Sequence, residues 1–142
     1  MKNLFALMMI VSFSLATFAQ EGQAKITFKT ETIDYGTIEK DADGLRTFEF
    51  TNTGDAPLVI SNVKSTCGCT IPKKPDGPIM PGENGVIEVK YDTKRVAPFR
   101  KTITVTSNAE RTTVALKIKG TVTDPNNNGV MQKKTPSVMQ NN

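Results

Sequence analysis

The residues of this 142-residue chain whose type and spacing invite chemistry are Cys67 and Cys69, in the run Val63-Lys64-Ser65-Thr66-Cys67-Gly68-Cys69-Thr70-Ile71-Pro72. Such a pair can be a local disulfide that stiffens a turn, two small thiols without a specific role, or a redox or soft-metal site such as a thiolate pair for Cu(I). Extended chain would set the two Cα atoms about 6.6 Å apart, at about 3.3 Å per residue, which is the long edge for a disulfide. A bend at Gly68, free to take positive φ, would shorten that gap. In an extended chain the two Cys also share a face with Val63 and Ile71. A bond here closes almost no loop, so stapling the fold is a poor explanation for it. Two Cys supply only two soft ligands, and Met80 is the nearest plausible third in sequence. Redox enzymes favour Cys-x-x-Cys at a helix start, and this run offers neither feature.

Other chemistries are poorly served. The chain has no His, which excludes Ser-His-Asp and Cys-His catalysis and every His-ligated metal site within it. No acid pair stands out as a glycosidase dyad, and no Gly-rich phosphate loop precedes a helix. The runs Asp34-Tyr35-Gly36, Asn52-Thr53-Gly54 and Tyr91-Asp92-Thr93 read as strand ends and turns, where Asp and Asn can bond their own backbone. A net charge of +4 is spread along the chain, and aromatics make up only 6%, which argues against nucleic acid as a partner. No catalytic residue, cofactor or metal is therefore expected.

The elements that must position the Cys pair are strands. Residues 24–123 hold 17 Thr, nine Ile and eight Val but only three Leu, and branching at Cβ suits a pleated sheet. Apolar residues alternate with polar ones at Ile26/Phe28, Phe48/Phe50, Ile87/Val89/Tyr91, Ile103/Val105 and Val114/Leu116/Ile118/Val122. Each run predicts a strand with one buried and one wet face. Turn signals fall at Asp43-Gly44, Thr53-Gly54-Asp55, Asp76-Gly77, Pro81-Gly82 and Ser107-Asn108. About seven to eight short strands without a helix predict an immunoglobulin-like antiparallel β-sandwich, with a closed barrel as the alternative. Residues 72–83 read as a long, stiff connection through Pro72, Pro75, Pro78, Pro81 and Gly82, with Pro81-Gly82 central to a type II turn. Beside the Cys-Gly-Cys turn, including Gly68 and Thr70, this loop would form a stiff end surface.

The flanks differ in texture. Residues 1–19 combine Lys2, an uncharged run from Leu4 to Leu15, and small residues at Thr17 and Ala19, the pattern of a signal peptide cleaved after Ala19. The 123 residues beyond it are about 32% apolar, low for a globular chain. This predicts a periplasmic or secreted protein, with no transmembrane segment after cleavage and both Cys in an oxidising compartment. Residues 124–142 lose periodicity and read as a disordered polar tail.

Several runs together resemble one family. They are Phe28, Ile33–Ile38, Phe48–Gly54, Pro57–Ile60, Cys67–Thr70, Ile79–Glu83, Val89–Thr93, Phe99–Lys101 and Ser107-Asn108. In this order they resemble the bacterial exported domain of unknown function 1573, over about residues 27–123. That family in turn looks like the immunoglobulin-like domains of the Hydin, sperm-protein and PapD groups. The resemblance implies a seven- or eight-stranded sandwich and supplies neither an activity nor catalytic residues. The expected function is a non-catalytic, exported module that binds an unknown protein or envelope component, most simply by pairing a partner strand with a free sheet edge. The alternative is a thiol redox or copper-handling protein using Cys67 and Cys69, and a purely structural envelope component ranks third. The oligomeric state is not legible in the sequence.

Overall fold

Alternation becomes a two-layer core. In a computed structural model, which describes residues 22–126, eight strands run in chain order. They are β1 (Ile26–Phe28), β2 (Thr32–Glu39), β3 (Leu45–Asn52), β4 (Ile60–Ser65), β5 (Thr70–Lys73), β6 (Asn84–Tyr91), β7 (Pro98–Ser107) and β8 (Thr113–Thr123). Sheet A has the order β1-β3-β6-β5 and sheet B the order β2-β8-β7-β4. The expected sandwich is what forms. Phe48, Phe50, Ile87 and Val89 from sheet A meet Ile103, Val105, Val114, Leu116, Ile118 and Val122 from sheet B, all at 0 or 1% exposure. Burying each such side chain stabilises the fold by about 1.5–3 kcal/mol.

Five of the six strand pairings are antiparallel, whereas β2 runs parallel to β8. A bulge in β2 lies between Asp34 and Thr37, where Gly36 takes a φ of +63°. Asp34-Tyr35-Gly36 is therefore strand interior, not a strand end. Its Tyr35 turns inward and donates its hydroxyl to the Gly44 carbonyl at 2.9 Å. The side-chain-to-backbone bonds expected of the Asp and Asn residues are all present: Gly36, Gly54 and Lys94 amides donate to Asp34, Asn52 and Asp92 at 2.8, 3.0 and 3.1 Å.

Asn52 ties one end of the sandwich. Its buried side chain accepts from the Lys25 and Gly54 amides and donates to the Ala56 and Ile79 carbonyls. Its full bonding capacity is thus used. Its backbone accepts from Gly82 and donates to Glu83, which anchors the Pro81-Gly82 turn. That turn is type II: the Glu83 amide donates to the Met80 carbonyl at 3.0 Å, and Gly82 has a φ of +82°.

The signal peptide expected at 1–19, and residues 127–142 of the expected tail, lie outside the described residues. Among the described residues no helix is long and apolar enough to cross a membrane.

Candidate binding surface at the Cys67–Cys69 corner

Cys67-Gly68-Cys69 sits where the chain changes sheets. On one side the Thr66 amide donates to the Thr102 carbonyl of β7, in sheet B. On the other the Asp92 amide, just past β6, donates to the Cys69 carbonyl at 2.8 Å, in sheet A. Between those anchors the Thr70 amide donates to the Cys67 carbonyl at 3.4 Å, closing a turn. The two sulfurs are joined as a disulfide, with the Cα atoms 5.4 Å apart, closer than extended chain allows. Gly68 supplies the bend without positive φ, and a Cβ placed on it would meet nothing within 4 Å. The left-handed freedom that the sequence suggested for Gly68 goes unused.

The turn sets the phase of β5. Thr70 is buried at 3% exposure, while Ile71 is 67% exposed. Ile71 thus does not share an inward face with Val63 and Cys69, which pack against the core. The turn at 66–69 breaks the extended run that such sharing would need. β5 accordingly hides a polar residue and shows an apolar one. The hidden hydroxyl of Thr70 has no hydrogen-bond partner among the described residues, a condition that costs about 1–3 kcal/mol.

Ile71 does not stand alone. It lies opposite Lys90, and Lys90 lies opposite Leu45, so the three form one row across β5, β6 and β3. Leu45 is 40% exposed, and Val86 on the same face of β6 is 46% exposed. Adjacent strands are about 4.8 Å apart, so Ile71 and Leu45 flank Lys90 at about 10 Å from one another. The neighbouring charges on this face pair off, Lys73 with Glu88 and Lys29 with Glu49. The result is an apolar row with a single cation at its centre.

Sheet edges are poorly suited to strand addition. Register and the Asp92–Cys69 bond turn the backbone N–H and C=O groups of Ile71 and Lys73 toward β6, leaving the backbone groups of Thr70 and Pro72 on the open edge. The Thr70 amide is already taken, and Pro72 has none, so the outer side of β5 presents no donor. β1 is three residues long. β2 and β4 are each bulged, and the Thr30 hydroxyl bonds both the amide and the carbonyl of Thr32. Short length, Pro and bulges are the usual protections of an edge.

Two sequence expectations about this region change. Pro72 belongs to β5, so the irregular connection begins at Lys74. Pro75 is half-buried; Pro78, Pro81 and Gly82 are exposed. The Cys turn is bonded to the Asp92 end of β6, whereas the Pro81-Gly82 turn is bonded to Asn52 beyond the Asn84 end. Seven residue steps of β6 separate the two, about 23 Å. They do not form one end surface. The same separation removes Met80 as a third ligand for the Cys pair. No cysteine is free, and no group of three or more metal-ligating residues occurs among the described residues.

The chain belongs to the family described as "Protein of unknown function (DUF1573)", whose model matches residues 26–122. A comparison with curated proteins finds no match. Among solved structures it is similar to a protein of unknown function from Porphyromonas gingivalis W83. That likeness has 18% identity and a TM-score of 0.60, covering 78% of this chain and 51% of that one. The chain thus spans about half the length of that protein. It is also similar to the ASH / PapD-like domain of human CEP192, at 10% identity and a TM-score of 0.60, covering 72% of this chain and 87% of that domain. A third likeness, to the Vibrio cholerae VesB protease, has 10% identity and a TM-score of 0.54, over 70% of this chain and 31% of that one. At these identities the likeness is one of fold: an immunoglobulin-like, PapD-like sandwich.

Proposed function

We propose that this DUF1573 member is an exported, non-catalytic module that holds a protein or other envelope component against the outer face of sheet A. Export rests on the signal peptide read at residues 1–19, and the disulfide fits the oxidising compartment to which it leads. One observation carries the choice of surface: β5 buries Thr70 without a partner and exposes Ile71. A one-residue shift would reverse both, at the cost of turning Lys73 inward as well, since register slips swap the two faces of a strand. Departures of this kind are characteristic of functional surfaces. The Cys67–Cys69 turn fixes the unfavourable phase, and the blunted edges direct a partner to the face.

Intact mass of the exported protein tests the first half of the reading. The expected species begins at Gln20, is lighter by two hydrogens than the dithiol, and resists alkylation until reductant is added. Thiols free in oxidising buffer that bind Cu(I) stoichiometrically would favour copper handling instead. Capture of partners tests the second half. Ile71→Asp is expected to lose the protein partners that wild type retains, and Thr104→Asp on sheet B to keep those same protein partners. Equal retention by both variants would remove the sheet A face from the account. Cys67→Ser/Cys69→Ser is expected to weaken capture; full retention would show that the bond is dispensable for the surface.

A further inference from the structure

The two outer faces differ in charge. On sheet B the outward positions carry Lys64 of β4, Arg100 of β7, and Lys117 and Lys119 of β8. Asp34 and Glu39 of β2 are the carboxylates on the same face, Asp34 paired with Lys119 at 3.1 Å and Glu39 at the far end of the strand opposite Thr123. Lys64, Arg100 and Lys117 form no ion pair among the described residues. Arg100 lies directly opposite Lys119, and Thr102 opposite Lys117. Lys64 lies opposite Thr104, four residues along β7 from Arg100, or about 13 Å at about 3.3 Å per residue. Two shallow cavities of about 490 and 210 Å³ share Arg100 and Lys119 in their walls. Between the cations lie hydroxyls of Thr32, Thr102 and Thr104.

From this arrangement we infer that the outer face of sheet B binds a linear acidic polysaccharide. Each exposed cation alone contributes little in water. A polymer that repeats its anions engages several at once, because the first contact raises the local concentration for the next. The threonine hydroxyls between the cations match sugar hydroxyls. Among the described residues no large exposed hydrophobic side chain lies on this face to enter a membrane. Nor do the described residues place an exposed aromatic side chain there on which bases could stack. The inference is independent of the sheet A surface, so either can fail alone.

The probes are polygalacturonate, neutral dextran, single-stranded DNA and anionic phospholipid vesicles, with the oxidised protein at low salt. Polygalacturonate is expected to bind, weakening steeply with salt, and dextran not to bind. Arg100→Gln/Lys117→Gln/Lys119→Gln is expected to reduce affinity at least tenfold. Lys29→Gln/Lys73→Gln/Lys90→Gln removes the same charge from sheet A and is expected to change it less than twofold. Asp34→Asn keeps the acceptor for the Gly36 amide but removes the opposing charge, and is expected to tighten binding two- to threefold. Equal loss in both triple variants, absence of binding by wild type, or tighter binding to DNA or vesicles would overturn the inference.

Discussion

The Thr70 amide donates to the Cys67 carbonyl at 3.4 Å, and this contact spans the step from sheet B to sheet A. With the disulfide closing the same turn, it commits Thr70 to the interior and Ile71 to water. The Cys pair therefore acts on the direction in which β5 faces. Global stapling is a minor role, since closing so short a loop stabilises by only about 1.5 kcal/mol in the chain-entropy view.

Thr70→Val should stabilise the protein by about 1 kcal/mol, because it replaces a buried hydroxyl without a partner by a methyl of similar volume. Urea unfolding of the oxidised protein measures this. A loss of similar size would mean that the hydroxyl is satisfied after all.

Two glycines should behave oppositely. A Cβ on Gly44 would lie 2.0 Å from the Tyr91 carbonyl oxygen, so Gly44→Ala should cost about 3 kcal/mol or more. Gly68→Ala, in open space without positive φ, should be neutral or stabilise by up to about 1 kcal/mol. Unfolding midpoints of the two variants decide the matter. Comparable losses would refute the described turn.

Asn52→Asp should destabilise by about 3 kcal/mol or more, since it removes both donors to Ala56 and Ile79 and buries a charge. Thermal unfolding reads the loss directly. A change below about 0.5 kcal/mol, as is usual at exposed positions, would contradict the buried hub.

Alkaline pH should expose the role of Tyr35. Burial pushes its hydroxyl up to about 12, against an ordinary value of 10.0. A group raised on folding contributes stability that is intact below its unfolded value and is lost as pH rises through its folded one. The urea midpoint should therefore hold to about pH 10 and fall toward pH 12. Tyr35→Phe should cost about 1 kcal/mol at neutral pH, through the lost bond to Gly44, and make the alkaline fall shallower. Burial raises Tyr91 as well, so some decline persists in that variant. An unchanged alkaline slope would contradict the assignment.

Legibility in the sequence followed the regularity of each strand. β1, β3, β6, β7 and β8 keep period 2 and announce their inner faces. β2 hides because the bulge at Gly36 shifts the phase between Tyr35 and Ile38. β4 is short, and a bulge between Ile60 and Asn62 breaks it in the same way. β5 inverts the rule itself, with Thr70 inward and Ile71 outward, so no pattern of apolar residues could place it. The Cys pair was visible as an unusual spacing, but its position at a change of sheet depends on pairings with β6 and β7 that local sequence does not encode. Asn52 looked like a turn residue; its buried contacts come from segments 27 residues away on either side.

Photo-crosslinking in the exporting cell tests the central claim most directly. A photoreactive phenylalanine analogue replaces Ile71 in one strain and Thr104, on the opposite face, in another. The account predicts discrete protein adducts at position 71 and no protein adducts at position 104, with the position 71 adducts reduced when Cys67 and Cys69 are both Ser. Adducts at 104 but not at 71, or none at 71, would contradict it.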